Sequence, residues 1–318
     1  MVWPPGELLN ITGAQPLREC GIVVPVNRDD MTRRWNGMQR RGQAAVGALR
    51  GRASPAISVV DPAPPHHDWW DLLPFTAHRI ALAPGVETTT AGVTPVDDIR
   101  TQLVVDACGG SLGGRTIVDL GCLEGGFTLA FAQRGATRAV GIEARELSVQ
   151  RCELARKLLS VENAKFVRAD IKDELARHDP FDVVFAAGIL YHVADPAGFL
   201  RTMRSSCKHV ALIDTHVART DEVTHDCSPI VSRDSLGTTY RGRMFPEYPP
   251  NVSDDAKESM AWAAYSDADA FWPLEDDLVQ MMREAGFSRV EKVDVAGDGN
   301  LARWGVDTLN RVMYLAYV

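Results

Sequence analysis

The chain has 318 residues, enough for one large or two small domains, and its apolar and charged fractions of 45% and 24% are ordinary for a soluble globular protein. Its formal charge of −8 argues against a generic binder of the nucleic-acid phosphate backbone. The sequence contains no run of about 18 apolar residues, which a membrane span would need. Its first residues lack the pattern of a signal peptide. The six cysteines are scattered along the chain without a C-x-x-C pair. This spacing predicts reduced thiols rather than disulfides or a zinc site. We therefore expect a cytoplasmic protein without membrane contact.

Residues 1–65 form an N-terminal extension rich in Pro, Gly and Arg. Within it, residues 29–52 have a helical pattern that several glycines weaken, and their basic side chains could meet a partner or an acidic substrate. We favour the simpler interpretation of a solvated arm or an extension packed on the main domain. The D-P-A-P-P run at residues 61–65 predicts a linker.

Residues 66–94 form a segment that is dense in aromatic side chains. Trp69, Trp70 and Phe75 precede a strand-like piece at residues 79–82 and a Pro-Gly turn. Aromatic density outside a sheet suits a lid over a cofactor or substrate, with His78 and Thr89 as its polar contacts. Core packing of the two tryptophans is the alternative.

A helix is predicted over residues 95–108, and residues 115–145 then form the unit around which the chain is organised. They read R-T-I-V-D-L-G-C-L-E-G-G-F-T-L-A-F-A-Q-R-G-A-T-R-A-V-G-I-E-A-R. A strand ending in Asp119, a glycine turn, a helix and a second strand ending in Glu143 make the strand–turn–helix–strand unit of a doubly wound α/β sheet. Such sheets bind ligands at the carboxyl ends of their strands.

The acids of this turn indicate which ligand it suits. A dinucleotide fold needs Gly-x-Gly-x-x-Gly, whose free N–H groups hold a pyrophosphate. This turn instead carries Asp119 and Glu124, which repel phosphate and suit a ligand with positive charge. Glu143, 24 residues after Asp119, can accept hydrogen bonds from both ribose hydroxyls. S-adenosylmethionine (SAM), with its sulfonium, ammonium and ribose, fits this pattern better than NAD does.

The same stretch resembles motifs I and II of the class I SAM-dependent methyltransferases. Its form D-L-G-C-L-E-G-G-F-T departs from the commonest version, which has glycine where Leu123 stands. A generic α/β turn without cofactor is the alternative. The resemblance implies SAM as cofactor and an α/β, Rossmann-like, seven-stranded sheet that is mostly parallel and ends in an antiparallel hairpin. The residues that we assign to the cofactor are His78, Asp119, Gly121, Leu123, Glu124, Gly125, Glu143, Ala144, Asp170, Ile171, Ala187 and Gly188.

Three further strands are predicted at residues 164–169, 181–187 and 210–213. The first ends in Asp170, and in the family the acid at this point meets the adenine amino group. The second is a near-continuous apolar run that leads into G-I-L-Y-H-V-A-D-P, in which Asp195 caps the next helix and Pro196 is its first residue. The resemblance also extends to the tRNA wobble-uridine-modifying group and its small-molecule relatives, through this G-I-L-Y-H run and the lead-in at residues 66–94.

Residues 217–270 interrupt the alternation of strands and helices. An insertion of this length after the fifth strand is where the methyltransferase fold places substrate-specific structure, and long segments in compact domains are rarely idle. A helix at residues 274–285 and strands at 290–295 and 311–318 then complete a methyltransferase domain over residues 95–318.

The acceptor side offers several polar residues. An oxygen acceptor of low acidity usually needs a general base, most often histidine. His192 is one candidate, and His216 oriented by Asp214 is the other; an ordering residue beside SAM is the alternative for His192. Asp214 and His216 could instead hold a divalent metal, but two residues alone do not make a site, and we predict none. The candidate substrate-binding residues are Tyr191, Tyr240, Arg241, Arg243 and Glu247.

The leading hypothesis is a SAM-dependent methyltransferase that acts on a small polar metabolite, such as a sugar or natural product, most readily at oxygen. Its predicted partner is a small-molecule substrate and not nucleic acid, and a homodimer stays open. The second hypothesis is a tRNA-modifying enzyme, which needs a basic face near the pocket; only residues 28–52 offer one. The third is a SAM-binding interaction protein without activity, which is the weakest because Asp119, Glu143 and Asp170 are all present.

Overall fold

The computed structural model describes residues 75–83, 85–89, 92–221, 227–249, 251–294 and 310–318, all within the compact unit Asp61–Val318. The predicted extension 1–65 and the tryptophans of the aromatic segment lie outside the described residues. Within the described residues no helix has the length and apolar character needed to cross a membrane.

A seven-stranded sheet forms the centre of the described unit, with strand order β11-β12-β7-β6-β3-β4-β5. Strands β3 to β7 are parallel to one another, whereas β12 runs antiparallel to both β7 and β11. The predicted fold class, with its closing antiparallel hairpin, is thereby confirmed. The strands of this sheet are β3 (Thr116–Leu120), β4 (Arg138–Glu143), β5 (Ala164–Arg168), β6 (Phe181–Ala187), β7 (Cys207–His216), β11 (Arg289–Lys292) and β12 (Arg311–Tyr317).

Both faces of the sheet are buried because its central strands carry apolar residues at consecutive positions. Along β6, Val183 and Phe185 belong to one core cluster, whereas Val184 and Ala186 belong to the other. The helices that accompany this sheet are α1 (Ile99–Ala107), α2 (Gly126–Gln133), α3 (Glu146–Leu158), α4 (Ile171–Glu174), α5 (Pro196–Ser205) and α7 (Glu275–Glu284). A further short helix, α6 (Asp254–Glu258), lies in the insertion and has no buried residue.

Two helix starts test the cap predictions. The Asp195 side chain accepts from Gly198 N at the start of α5, with Pro196 in its first turn, as predicted. The single helix predicted over residues 95–108 is wrong in one respect. Asp98 has an extended backbone and accepts from Arg100 N, so it ends a 3₁₀ turn at Pro95–Asp97 and caps α1.

The predicted insertion contains a second sheet, which is antiparallel with the order β10-β9-β8. Its strands are β8 (Val231–Ser235), β9 (Thr238–Pro246) and β10 (Asp269–Pro273). Phe271 N donates to Val193 O, and the Trp272 indole donates to Tyr191 O at 2.7 Å. The insertion is thus held against the turn that follows β6, next to the carboxyl edge of the main sheet.

In the described part of the lead-in segment, a short hairpin forms from β1 (Ala81–Ala83) and β2 (Val86–Glu87), and a β-bridge joins His78 to Val93. Gly92 has a φ of +101°, and a Cβ there would lie 2.2 Å from Ala77 O. Only glycine fits this close approach, which lets the end of the segment return alongside its beginning before the methyltransferase-like domain starts.

Candidate active site

A cleft opens at the carboxyl edge of the main sheet. Turns after β3, β4, β5 and β6 line it, together with the lead-in segment and residues 261–267 of the insertion. The predicted site residues that line it are His78, Asp119, Gly121, Leu123, Glu143, Ala144, Asp170, Ile171, Ala187, Gly188, Tyr191 and His192. Those that lie outside its lining are Glu124, Gly125, Asp214, His216, Tyr240, Arg241 and Arg243.

The turn after β3 carries an unusual backbone at Leu123, whose φ is +53°. A left-handed conformation costs a non-glycine residue about 1–2 kcal/mol, which explains why glycine suits this position. Leu123 N donates to Glu143 Oε2 at 3.0 Å, so a buried hydrogen bond holds the strained residue. Gly125 is the N-cap of α2 and packs on Phe166 and Cys152, where a Cβ would lie within 3 Å of both.

Asp119 is buried at the end of β3 without a charged partner. Its Oδ2 accepts from Thr128 N at 3.1 Å and from Thr128 Oγ1 at 2.7 Å, and it forms no salt bridge with the described residues. Burial raises the pKa of Asp119 to about 7, against the lowering effect of the Thr128 bonds. A cationic ligand in the cleft would supply the missing compensation.

Glu143 ends β4 with both oxygens fixed. Oε1 accepts from Arg145 N at 2.9 Å and Oε2 from Leu123 N at 3.0 Å, while the Arg145 guanidinium lies 3.7 Å away. Burial raises the pKa of Glu143, and these N–H groups and Arg145 oppose that shift. A carboxylate oxygen accepts more than one hydrogen bond, so two ribose hydroxyls could still bind here.

Glu124 was predicted to contact the cofactor, but its carboxylate points to the lead-in segment instead. It accepts from the backbone N–H groups of Thr76, Ala77 and His78 at 2.7–2.9 Å, with the Arg151 guanidinium 3.6 Å away. The Thr76 hydroxyl donates to the same carboxylate at 3.2 Å, and these hydrogen bonds together with the ion pair compensate its complete burial. Glu124 therefore anchors the lead-in segment.

His78 makes a second contact between the lead-in segment and the turn after β3. Its Nδ1 accepts from Gly126 N at 3.0 Å, at the start of α2. Burial lowers the pKa of His78 to about 4, so the ring is neutral and Nδ1 can act as an acceptor. His78 lines the cleft as an uncharged side chain.

The predicted pair of Asp214 and His216 does not exist. Arg311 donates to both Asp214 oxygens at 2.6 and 2.9 Å, and Arg100 donates to Oδ2 at 3.1 Å. Burial raises the pKa of Asp214, but the two guanidinium groups outweigh it and hold that pKa below its usual value. His216 Nδ1 instead lies 3.1 Å from Asn310 Oδ1.

His192 lies against a carboxylate of the insertion. Its Nδ1 lies 2.8 Å and 2.9 Å from the two oxygens of Glu247, which is 3% exposed. Glu247 itself is not part of the cleft lining, whereas His192 is. Because Nδ1 is engaged by Glu247, Nε2 is the nitrogen of His192 that can act on a ligand.

The sequence comparisons agree with this geometry. The profile of a family described as methyltransferase domain matches residues 112–286, which is more than half of the chain. The chain belongs to this methyltransferase family. The predicted recognition as a class I SAM-dependent methyltransferase, and SAM as its cofactor, are confirmed.

Individual relatives match a smaller part of this methyltransferase. It is 33% identical over 115 residues to the tRNA U34 carboxymethyltransferase of Cronobacter sakazakii, covering 36% of each chain. It is 32% identical over 129 residues to the enzyme of the same name in Dichelobacter nodosus, covering 40% of each chain. The chain thus spans well under half the length of these curated relatives.

Solved structures show the same fold. The N-terminal domain of EvdMO1 with SAH bound is 23% identical, with a TM-score of 0.53 over 71% of this chain and 81% of that chain. The same domain in the presence of SAH and D-fucose is 22% identical, with a TM-score of 0.54 over 74% and 88% of the two chains.

Three predicted substrate residues of the methyltransferase lie away from the cleft. The Tyr240 hydroxyl donates to Glu284, Arg241 forms a salt bridge with Asp277, and Arg243 donates to backbone carbonyls at positions 219 and 228. They stabilise the contacts of the insertion sheet. The lid candidate Thr89 does not line the cleft either.

The basic residues of the cleft lining that were missed in the sequence include Arg145 of the turn after β4 and a pair, Arg100 and Arg311, from two distant elements of the methyltransferase. The pair forms the centre of an ion cluster. Their only signal was a basic residue in an otherwise apolar helix pattern and another at the start of the last strand. Together with Asp98 and Asp214 they form a buried cluster of two positive and two negative groups.

Proposed function

We propose that this methyltransferase transfers the methyl group of SAM to a hydroxyl group of a small polar metabolite, such as a sugar or a natural product. The contact between His192 and Glu247 carries this proposal. Methylation at a hydroxyl of low acidity needs a general base, and a histidine paired with a buried carboxylate at the cleft wall can supply it.

SAM supplies an electrophilic methyl group, and the acids at the strand ends suit the rest of the cofactor. Asp119 lacks a cationic partner among the described residues and suits the ammonium group. Glu143 suits the ribose hydroxyls. Asp170 accepts from Lys172 N through Oδ1, which leaves Oδ2 for the adenine amino group.

The chain's own part in the reaction is to position the acceptor and move its proton. His192 Nε2 accepts the hydroxyl proton as the oxygen attacks. The Glu247 carboxylate, 2.8 Å from Nδ1, stabilises the imidazolium that forms. Tyr191 lines the cleft beside His192, with ring centroids 4.2 Å apart, and gives the acceptor an apolar surface.

We assign acceptor selection to the insertion at residues 217–270 and the closing of the cofactor side to the lead-in at 66–94. Support comes from residues 261–267 and from His78, which line the cleft from these two segments.

The experiment is a screen for methyl transfer from radiolabelled SAM to sugars and polar natural products, followed by His192→Ala. We expect the variant to bind SAM as the wild type does and to lose about 10²- to 10⁴-fold in kcat. His178→Ala is the matched control, because His178 contacts Glu174 outside the cleft. Normal turnover by the His192 variant would remove the base assignment.

A second candidate is carboxymethyl transfer to tRNA. The relatives are named tRNA U34 carboxymethyltransferase, and Arg100 and Arg311 in the cleft lining are groups that could meet a carboxylate. Against it, Asp98 and Asp214 already neutralise both guanidinium groups, and the groove beside residues 261–267 is lined by Asp254, Asp255 and Glu258.

Competition between two sulfonium donors separates the candidates. SAM and an analogue with carboxymethyl in place of methyl are titrated into the wild type and into Arg311→Lys. If the enzyme transfers methyl, SAM should bind more tightly than the analogue. If it transfers carboxymethyl, the analogue should bind at least tenfold more tightly than SAM, and Arg311→Lys should lose this preference. Carboxymethyl transfer also predicts that a label on the carboxymethyl group appears in tRNA.

A further inference from the structure

Glu247 is a buried carboxylate that reaches two parts of the site at once. It follows β9 in the insertion and is 3% exposed. Both of its oxygens lie within 2.9 Å of His192 Nδ1, and Oε2 also accepts from Ala264 N at 2.8 Å. It does not line the cleft, so it can act on the reaction only through these neighbours.

The first consequence concerns the tautomer of His192. An ionised carboxylate can only accept hydrogen bonds, so the nitrogen that faces Glu247 must carry the proton. The neutral ring then keeps its lone pair on Nε2, which is the form that a general base requires.

The second consequence concerns residues 261–267, which we call the cleft wall because all seven line the cleft. Glu247 holds the wall at Ala264 N. Asp267 holds it at one end, where it accepts from Ala194 N at 2.9 Å and pairs with Lys172 at 2.8 Å.

Arg145 holds the other end of the cleft wall. Its guanidinium donates to the carbonyls of Lys257, Met260 and Ala263 at 2.7–3.1 Å. Arg145 also contacts Glu143, the acid assigned to the ribose. The wall therefore joins the cofactor end of the cleft to the base.

We propose that Glu247 is the positioning residue of this site: it fixes His192 in the Nδ1–H form and ties the base to the wall of the cofactor cleft. The proposal rests on the proposed function in so far as His192 is the base. The tautomer itself can be measured without knowing the acceptor.

The test is ¹⁵N NMR of the His192 imidazole in the complex with S-adenosylhomocysteine, at a pH where the ring is neutral. We expect the Nδ1–H form in the wild type and the Nε2–H form in Glu247→Ala, with faster hydrogen exchange at the Ala264 amide. Glu174→Ala is the matched control, since it removes the carboxylate of another His–Glu contact, to His178, and should leave the His192 signals unchanged.

Two results overturn the proposal: an Nε2–H ring in the wild type, or an unchanged ring in a folded Glu247→Ala variant. The wild-type spectrum decides even where the variant does not fold. Once an acceptor is known, we expect Glu247→Ala to lower kcat about 10- to 100-fold with little change in KM for SAM, because the base is misplaced while the cofactor acids remain.

The two proposals fail in different ways. If His192→Ala abolishes turnover but Glu247→Ala leaves both tautomer and kcat unchanged, the positioning residue is wrong and the function stands. If the tautomer switches as expected but no hydroxyl acceptor is methylated, the contact is right and the proposed function is wrong.

Discussion

Two aspartates near the carboxyl edge of the main sheet show how differently one protein treats buried charge. Asp214 is neutralised by Arg100 and Arg311, whose charges hold its pKa below the usual value against the effect of burial. Among the described residues, Asp119 accepts hydrogen bonds from Thr128 and forms no salt bridge, and burial raises its pKa to about 7. The described part of the chain thus leaves Asp119 without a salt bridge, at the position where a cofactor with positive charge is expected.

The raised pKa of Asp119 determines the direction in which the stability of the folded protein changes with pH. Folding favours the protonated form, so the stability of the ligand-free protein falls as pH rises from the unfolded pKa, about 4, to about 7. The loss is at most about 4 kcal/mol, since each pKa unit corresponds to about 1.4 kcal/mol. Asp214 behaves oppositely: its stabilisation is present above the unfolded pKa and is lost only as pH falls through its lower folded pKa.

We predict that SAM affinity rises with pH through about 7, because the cation binds the ionised form of Asp119. Below pH 7 the dissociation constant should increase up to tenfold per pH unit. Asp119→Asn should flatten this dependence, weaken SAM binding and raise the melting temperature of the ligand-free protein at pH 8. Isothermal titration calorimetry and thermal unfolding measure both effects.

Asp182→Asn is the matched control for Asp119, because Asp182 also accepts from a threonine N–H and hydroxyl, those of Thr116, outside the cleft. It should leave SAM binding and its pH dependence unchanged. A pH-independent SAM affinity in the wild type would contradict the assignment of Asp119 to the cationic part of the cofactor.

The position of a single residue could be predicted where a local sequence pattern places that residue at the cleft. Asp119 and Glu143 end strands of one local unit, so their placement follows from the pattern of residues 115–145. Asp214 is only two positions before His216 in sequence, yet its partners Arg100 and Arg311 are 114 and 97 positions away. No local pattern shows such contacts, and the predicted dyad failed for that reason.

At the scale of elements, the lead-in segment is attached to the sheet by two reciprocal contacts. Glu124, in the turn after β3, accepts three backbone N–H groups of the lead-in, and His78 of the lead-in accepts from Gly126 N at the start of α2. The segment therefore gains its order from the cofactor turn and contributes His78 to the cleft in return.

Glu124→Ala should detach the lead-in segment, because three N–H groups and Arg151 lose their acceptor. We expect a loss of about 3–5 kcal/mol in the free energy of unfolding and faster proteolysis around residues 75–94. Urea denaturation and limited proteolysis measure these effects.

Glu153→Ala provides the comparison for Glu124, since Glu153 forms a surface pair with Arg156. It should change stability by less than about 1 kcal/mol. Equal stability of the two variants would show that the lead-in does not depend on Glu124.

The insertion shows the limit of element prediction. Residues 217–270 were identified as an insertion because they break the strand–helix alternation, but the sheet of β8, β9 and β10 was not predicted. Strand β8 reads V-S-R-D-S, and its polar side chains conceal a period of two. The apolar surface that stabilises it belongs to β9 and β10, where Tyr240 and Phe271 are buried against the main domain.

At the scale of the whole molecule, the methyltransferase domain and its insertion share one site. The main sheet supplies the acids assigned to the cofactor, and the insertion supplies Glu247 and the cleft wall. Arg145, on the main domain, joins the two by binding wall-side carbonyls while it contacts Glu143.

We predict that SAM binding slows hydrogen exchange in residues 257–267 of the insertion as well as in the turn after β3. Arg145→Met should abolish this protection and raise the dissociation constant for SAM about tenfold, because the carbonyls at positions 257, 260 and 263 lose their donor. Hydrogen–deuterium exchange followed by mass spectrometry resolves these peptides.

Arg156→Met, which removes a guanidinium that pairs with Glu153 on α3, should leave exchange in residues 257–267 unchanged. Protection confined to the main sheet in the wild type would count against a shared site.

The overall architecture was predictable because it repeats a local rule. Each parallel strand is an apolar run followed by a helix pattern, and such units assemble in few ways. The sheet and its closing hairpin could therefore be predicted from the sequence, whereas the ion cluster of Arg100, Asp214 and Arg311 could not, since it depends on the final packing of three distant elements.

The position of strand β12 in the sheet affects the order in which the molecule can fold during translation. It is the last strand of the described chain, yet it lies inside the sheet, between β7 and β11. Until it emerges from the ribosome, β7 remains an open edge and Asp214 lacks one of its guanidinium partners. A nascent chain can thus form its cofactor turn early, but it completes the floor of the cleft only after β12 has been synthesised.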